Sequence, residues 1–509
     1  MKFLNTTTLI IALAANTLCH AAPQSAAPLP TPLEAHAQMQ ISNSAEMSAY
    51  LHALAATQPT LARVEALGES VQGRPLEVLR LAAPRGKDES PRAKVMVIGS
   101  QHGAAEPAGG EALLVIAREL LSGALRPLLD DLEIILLPNA NPDGRDLKRR
   151  ANANWININT DFVLLSQPES QLLKEAISRY APDALLDSHE SAILKRKTLA
   201  KDGYLTDFDA QFEMANNPAV PVAMRDYALN IFLPAILERV SAGGLPAHRY
   251  IGEIISIKQP ITNGGLTLRN FRNTAGLSGA LSLLVETKLD SREDTFPTYR
   301  NIAVRVERQL LCIRTFLGLV HARRAEILSL TAASRAALHK ESLTLFSGYE
   351  VDRAHPQVEI SMRRLDTRQL EMLKFRDHRK LVTADTVPYP PMLVVTEHLD
   401  KLRPILERHQ ISYWQVTQPT AAEVIAARFQ SPSNILERAK LLQETRKSLE
   451  FKAGIFIDLT QPNGRTAALL LDPRATSSVF RYPEFASLVV PAEEFFVYRT
   501  FKGATRSQP

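Results

Sequence analysis

Short apolar runs alternating with helical stretches constrain this chain most. Leu76–Leu81, Lys94–Gly99, Leu132–Leu137, Ala184–Asp187 and Leu281–Glu286 read as strands. Gly110–Leu121, Ser170–Tyr180, Ala223–Ala242 and Asn301–Ala322 read as helices between and after them. An earlier helix is expected through about Ala56, because Asn43 and Glu46 have the spacing of a capping box. This order predicts an α/β layer around a buried, largely parallel or mixed sheet. At 509 residues the chain exceeds one compact core, and about two to four domains are expected.

Polar chemistry in such sheets gathers beyond the carboxyl ends of the strands. Ser100-Gln101-His102-Gly103-Ala104-Ala105-Glu106 follows the second run. Asn141-Pro142-Asp143-Gly144 and then Arg149-Arg150-Ala151-Asn152 follow the third. Asp187-Ser188-His189-Glu190 closes the fourth, and Glu286 ends the last. Taken singly, these are a polar loop residue, a turn, a solvated basic face and a strand end. Their joint occurrence at successive strand ends carries the functional reading. Two His and one carboxylate with a fourth position open make a catalytic zinc set, which His102, Glu106 and His189 can supply. Glu286 suits a general base and acid, and Arg150 is the candidate to stabilise an oxyanion. Asp187 is placed to orient a ligand.

Composition narrows the alternatives. Cys19 and Cys312 are the only cysteines, which excludes a disulfide framework and a thiolate-rich zinc site. A net charge of +5, from 59 basic and 54 acidic residues, gives no ground for a nucleic-acid partner. No stretch is long and apolar enough for a stable membrane span. Residues 1–21 read as a cleavable signal peptide, with Lys2, the apolar Leu9–Ala15 core and small residues at Cys19 and Ala21. The mature protein is therefore expected to be secreted or periplasmic. Residues 22–42 read as a Pro-rich linker.

The strand-end residues resemble the zinc metallocarboxypeptidases of the carboxypeptidase A type, from about Ala45 to Ala322. Gly68-Glu69-Ser70-Val71-Gln72-Gly73-Arg74 is similar to that family's early turn, and Gln101-His102-Gly103 with Glu106-Pro107-Ala108-Gly109 to its first metal motif. Asp187-Ser188-His189-Glu190 resembles the motif of the third ligand, and Leu284-Val285-Glu286-Thr287 the catalytic strand. The resemblance implies an α/β domain with a central mixed sheet flanked by helices. It also implies one zinc ion on His102, Glu106 and His189, Arg150 at the carbonyl oxygen, Glu286 as base and acid, and cleavage of a C-terminal residue from a peptide.

Three departures qualify it. Glu106 stands four residues after His102, where the family has three. Asn159 is kept, but Thr160 replaces the arginine that grips the substrate carboxylate, and Thr makes no charge-assisted fork. The family's substrate-covering tyrosine has no match before Glu286; Arg269 and Arg272 stand there, and Arg272 reads either as the missing anchor or as a surface-loop arginine.

The expected organisation is a catalytic unit at 43–330 and a second α/β or α+β accessory domain at 331–509. In the latter, Leu393–Val395, Ile455–Ile457 and Ala467–Leu471 read as strands, and Leu399–His409 and Ser433–Lys447 as helices. Lys195-Arg196-Lys197 belongs to an insertion-like loop at 191–221 and reads as a solvated basic triplet. The leading expectation is a secreted zinc metallopeptidase acting on peptides, cell-wall peptides among them. The alternatives are a zinc-dependent deacylase of acylated amino acids and an inactive binding module of the same fold.

Overall fold

The computed structural model describes residues 29–86, 90–192, 199–252, 254–289, 301–430 and 438–501. The expected signal segment and the Lys195-Arg196-Lys197 triplet lie outside the described residues.

Strands β1 (Ala62–Glu69), β2 (Pro75–Leu81), β3 (Ala93–Ile98), β4 (Leu132–Leu137) and β5 (Ala184–Ser191) are followed by β6 (Tyr204–Thr206), β7 (Ala210–Met214), β8 (Ala247–Arg249) and β9 (Leu281–Lys288). Helices α1 (Pro32–Ala35), α2 (Ser44–Thr57), α3 (Ala108–Ser122), α4 (Pro142–Asp146) and α5 (Pro168–Tyr180) precede α6 (Val222–Tyr227), α7 (Leu233–Ala242), α8 (Phe271–Leu277), α9 (Ile302–Ala322) and α10 (Arg324–Ala337). All of these strands except β6 form one sheet in the order β1-β2-β4-β3-β5-β9-β7-β8. Its centre, β4-β3-β5-β9, is parallel, while β1-β2, β2-β4 and β7-β9 pair antiparallel, so the sheet is mixed.

The central strands are apolar throughout because both faces are covered. Val95 and Val97 of β3 join one core with Leu113 and Ile116 of α3 and Phe316 of α9. Met96 and Ile98 join the opposite core with Leu173 and Ile177 of α5 and Phe271 of α8. This is the two-residue alternation of a strand, here with both sides buried. Each fully buried Val, Ile or Leu contributes about 1.5–3 kcal/mol. α3 also approaches unusually closely: a Cβ on Gly109 would lie 2.1 Å from Ser188 Oγ, and one on Gly110 2.4 Å from Pro138 O. Glycine there lets the start of α3 sit against the ends of β4 and β5, where the polar residues gather.

The remaining strands are β10 (Leu343–Glu350), β11 (Gln357–Arg364), β12 (Leu370–Arg376), β13 (Lys380–Val387), β14 (Met392–Val395), β15 (Trp414–Gln415), β16 (Thr420–Gln430), β17 (Lys440–Phe451), β18 (Ile455–Asp458) and β19 (Val497–Thr500). Six of them form an antiparallel sheet, β15-β18-β14-β19-β16-β17. It carries α11 (Leu399–Arg408) and α12 (Gly464–Leu471), and α13 (Pro483–Ala486) lies beyond them. β6 from the first half of the chain joins β11 and β12 through Met362↔Thr206 and Arg363↔Leu205.

Several expectations need correction. The expected strand Ala467–Leu471 is helix α12, buried along its length; a short all-apolar run has no period to separate strand from buried helix. Within the expected helix Ser433–Lys447, residues 440–447 belong to strand β17, zipped to the apolar β16, and residues 433–437 lie outside the described residues. The loop expected at 191–221 contains β6 and β7, and β7 extends the main sheet. The described part of the expected linker, 29–42, is packed rather than free. Thr31 and Glu34 form a capping box, Leu33 is buried, and Glu34 accepts two hydrogen bonds from Arg118 at 2.6 and 2.7 Å.

Candidate metal centre

β3, β5 and β9 lie side by side and parallel, so their carboxyl ends open on one edge. Ile98 pairs with Asp187, and His189 pairs with Glu286. After β3 the chain turns through Ser100, passes His102 and makes one tight turn at Gly103–Ala105 before Glu106. That turn absorbs the extra residue of the His102–Glu106 spacing. Gly103 takes φ +51°, and a Cβ on it would lie 2.4 Å from the Gly144 carbonyl carbon. Pro107 then leads into α3.

His102, Glu106 and His189 are buried together, with one ligand atom from each within 4.8 Å of the others. The imidazole rings of His102 and His189 are 5.0 Å apart. His102 Nδ1 is buried without a hydrogen-bond partner. An orphaned imidazole nitrogen beside a carboxylate and a second imidazole is the donor set a zinc ion takes. Glu111, the other acid nearby, is not available: it is paired with the buried Arg145 and accepts from Ser42 N and Oγ at 2.8 and 2.7 Å.

Neighbours orient each ligand. Asp187 Oδ2 lies 2.9 Å from His189 Nε2, so Nδ1 faces Glu106 at 3.1 Å. Asp187 is itself held by Gln101 Nε2 at 2.6 Å. Gln309 of α9 donates to the His189 carbonyl at 2.8 Å and accepts from Ser188 Oγ at 2.8 Å. Glu190 is clamped by Arg305 at 2.7 and 3.0 Å and accepts from Ala108 N at the start of α3. Gln309, Arg305 and Gln101 were not singled out from sequence. The signal for two of them is visible in hindsight: Arg305 and Gln309 sit four residues apart among the core positions of α9.

The electrostatics suit a cation. Burial lowers the His102 pKa to about 3, with His189 and Arg150 adding to it against Glu106, so this imidazole is neutral and able to ligate. Burial pushes Glu106 up, but His102, His189 and Arg150 outweigh it and keep the carboxylate ionised. Burial pulls His189 down, yet Asp187 and Glu106 hold it well above the usual imidazole range. Metal binding must displace that proton. Glu286 rises to about 7 through burial and the Glu106 charge, which His189 and Arg150 only partly offset. A carboxyl poised near neutrality is what proton transfer in both directions requires.

Of the other expected residues, Arg150 contacts the cluster directly. It pairs with Glu106 Oε1, and its Nη2 lies 2.8 Å from His102 Nε2. Its side chain is 52% exposed, so the guanidinium faces both ligands and solvent. Asn159 Nδ2 lies 3.4 Å from His189 Nε2, and its Oδ1 accepts from Phe271 N at 3.2 Å. Arg272 is only 4% exposed. Its Nε donates to Met214 O at 3.1 Å, and Nη2 to Asn216 Oδ1 and Gly265 O at 3.2 Å each. It is thus a buried helix residue, with Nη1 the nitrogen not so engaged.

Residues 47–163 match the zinc carboxypeptidase family model, a span that includes His102, Glu106, Arg150 and Asn159. Carboxypeptidase 2 of Trichophyton rubrum is 28% identical over 249 residues, covering 48% of this chain and 46% of the relative. Carboxypeptidase E of Caenorhabditis elegans is 31% identical over 169 residues, covering 30% of this chain and 35% of the relative. The chain thus spans less than half the length of these two relatives. A metallo-carboxypeptidase structure from Burkholderia cenocepacia superposes with a TM-score of 0.42 at 21% identity, over 57% of this chain and 71% of that one. The matched segment, which carries the first two residues of the His–Glu–His cluster, makes this part of the chain similar to the zinc carboxypeptidase family.

Proposed function

We propose that the protein is a zinc-dependent metallopeptidase of the carboxypeptidase kind, hydrolysing peptide bonds near a free carboxyl end. The convergence of His102, Glu106 and His189 beside Glu286 carries this reading. A zinc ion held by those three residues supplies Lewis-acid polarisation of the scissile carbonyl and activation of water. Glu286 takes the proton of the attacking water on its carboxylate and passes it to the leaving amine. Arg150 donates to the carbonyl oxygen as negative charge develops there. Asn159, beside His189, donates to the substrate. Arg272 contributes on the substrate side through Nη1, and unchanged turnover of acidic and neutral peptides by Arg272→Ala would remove it from the site.

The deciding experiment is digestion of a peptide library by the zinc-loaded protein, read by mass spectrometry. Loss of C-terminal residues is the expected result, with activity abolished by chelation and restored by zinc. Release of an N-acyl group would instead establish the deacylase reading, which Thr160 in place of a carboxylate-gripping arginine favours. We also propose export, supported by the pattern of residues 1–21; a mature N-terminus at Ala22 on the secreted or periplasmic protein is the expected outcome.

A further inference from the structure

The segment from Arg150 to Asn159 leaves the metal site and returns to it. Arg150 Nη2 lies 2.8 Å from His102 Nε2, and Asn159 Nδ2 lies 3.4 Å from His189 Nε2. Between them Trp155 is 75% exposed, the most of any large apolar side chain among the described residues. Its backbone takes φ +62°, the left-handed region that bulky side chains avoid. A tight turn around the buried Asn152 imposes that conformation. Asn152 O accepts from Trp155 N at 3.1 Å, and Asn152 Oδ1 accepts from Asn154 N and Ile156 N at 3.1 and 3.0 Å. Asn152 Nδ2 in turn donates to Gln167 Oε1 and Glu169 Oε2 at 3.0 Å each. Glycine would take the same backbone without strain. A tryptophan that strains the turn and buries little of itself does not serve the stability of the fold, and strain of this kind gathers at functional sites.

The turn also fixes where the indole stands. The Arg149 guanidinium lies over its ring, Cζ 4.0 Å from the centroid, and Arg149 Nη2 donates to Asn152 O at 2.5 Å. Leu147, Lys148 and Ile156 are exposed as well. Asp146, the nearest acid along the chain, is engaged by Arg74 Nε and Ser44 N at 2.8 Å each. We propose that Trp155, with Arg149 and Lys148, docks the part of a peptide substrate upstream of the cleaved bond, taking an aromatic side chain on the indole and an acidic one at the cations. This rests on the peptidase reading above. When a C-terminal residue is removed, the rest of the peptide leaves the cleft toward solvent, and the half-exposed Arg150 marks an open side. Four residues span at most about 14 Å, so the Trp155 backbone lies within that distance of Asn159. An extended peptide covers it in about four residues at about 3.3 Å each. An indole favours stacking by a flat ring, and a guanidinium and an ammonium favour a carboxylate beside it. The place of the loop at the metal site points to substrate and not to a lipid surface.

The test uses the zinc-loaded, full-length protein and three peptides that share one C-terminal dipeptide. They are the N-acetylated dipeptide, a hexapeptide with Phe and Asp upstream, and a hexapeptide with Gly upstream. The kcat/KM of the Phe-Asp peptide is expected to exceed that of the short and the Gly peptides roughly 10-fold. Trp155→Gly is expected to erase that ratio, Trp155→Phe to keep part of it and Lys148→Gln to lower it. The melting temperature of Trp155→Gly is expected to be retained, because relief of left-handed strain offsets the greater chain entropy of glycine. A ratio that survives Trp155→Gly overturns the proposal. So does Trp155-dependent binding to phosphatidylglycerol vesicles with no difference among the peptides, which would make the loop a membrane contact. Calorimetry on Glu286→Gln protein repeats the comparison without turnover. Trp155-dependent binding of the Phe-Asp peptide there, with no peptide cleaved by wild type, leaves the docking platform standing and removes the peptidase reading.

Discussion

A single carboxyl shows how position sets chemistry here. Glu286 follows the apolar run of β9, and alone it would read as a solvated strand end. Parallel pairing with β5 sets it level with His189, and burial beside Glu106 raises it to about 7. Glu286→Gln is therefore expected to lower kcat by about 100-fold or more, the scale of a lost general base, with zinc content unchanged. Metal analysis and steady-state kinetics on one preparation check both halves. In the proposed mechanism Asp187, 2.9 Å from His189 Nε2, acts through that imidazole instead of touching substrate. Asp187→Asn is expected to weaken zinc binding roughly 10- to 100-fold, measured by competition with a chelator. These residues were legible in the sequence because each lies at the end of an apolar run. Gln309 and Arg305 were not, because nothing local in α9 tells which strand end it will cover.

At the scale of elements, the joint between β3 and α3 decides whether the two first ligands meet. The turn at Gly103–Ala105 lets His102 and Glu106 meet across a four-residue spacing, and it depends on Gly103 at φ +51° against the backbone of Gly144. Gly103→Ala places a side chain in a left-handed conformation and into backbone with no room to move. A loss of about 2–5 kcal/mol is expected, from the strain of about 1–2 and overpacking of about 1–3. Thermal unfolding reads the stability and metal analysis the expected fall in zinc content. Elements built from strongly patterned segments were legible: the main-sheet strands β2–β5 and β9, α2 with its capping box, and β14, β18 and α11 in the second half. The misread segments share a physical cause. α12 is apolar on every side, and β17 is polar along most of its length, so neither carries a period that distinguishes helix from strand. Their state is imposed by neighbours.

Across the whole molecule, the second half of the chain is bound into the first at several points. β6 pairs with β11, Arg465 of α12 donates to Ala219 O at 3.1 Å, and His409 after α11 bonds Val163 O at 2.9 Å. His409 makes this junction sensitive to acid. Burial lowers its pKa to about 3 despite the Val163 carbonyl, with Lys174 and Arg408 adding to the effect, whereas a free imidazole titrates near about 6.5. As pH falls below about 6.5 the unfolded chain takes up the proton first, so stability declines from there toward about pH 3. Denaturant midpoints at pH 7.5 and pH 5 are expected to differ, and His409→Asn, which keeps a donor for Val163 O without the titration, is expected to narrow that difference. What the sequence determined by itself was the set of polar side chains at the strand ends and the edge of the sheet on which they would collect, because the order of strands and helices dictates where strand ends open. Only the tertiary structure decided which groups surround them. Gln309 reaches His189 across 120 residues, Ser477 ties the C-terminal region to the loop carrying Arg269 across 209, and the Glu106 carboxylate is kept ionised by residues up to 83 positions away. Such contacts depend on how whole layers pack, and no local pattern of residues encodes them.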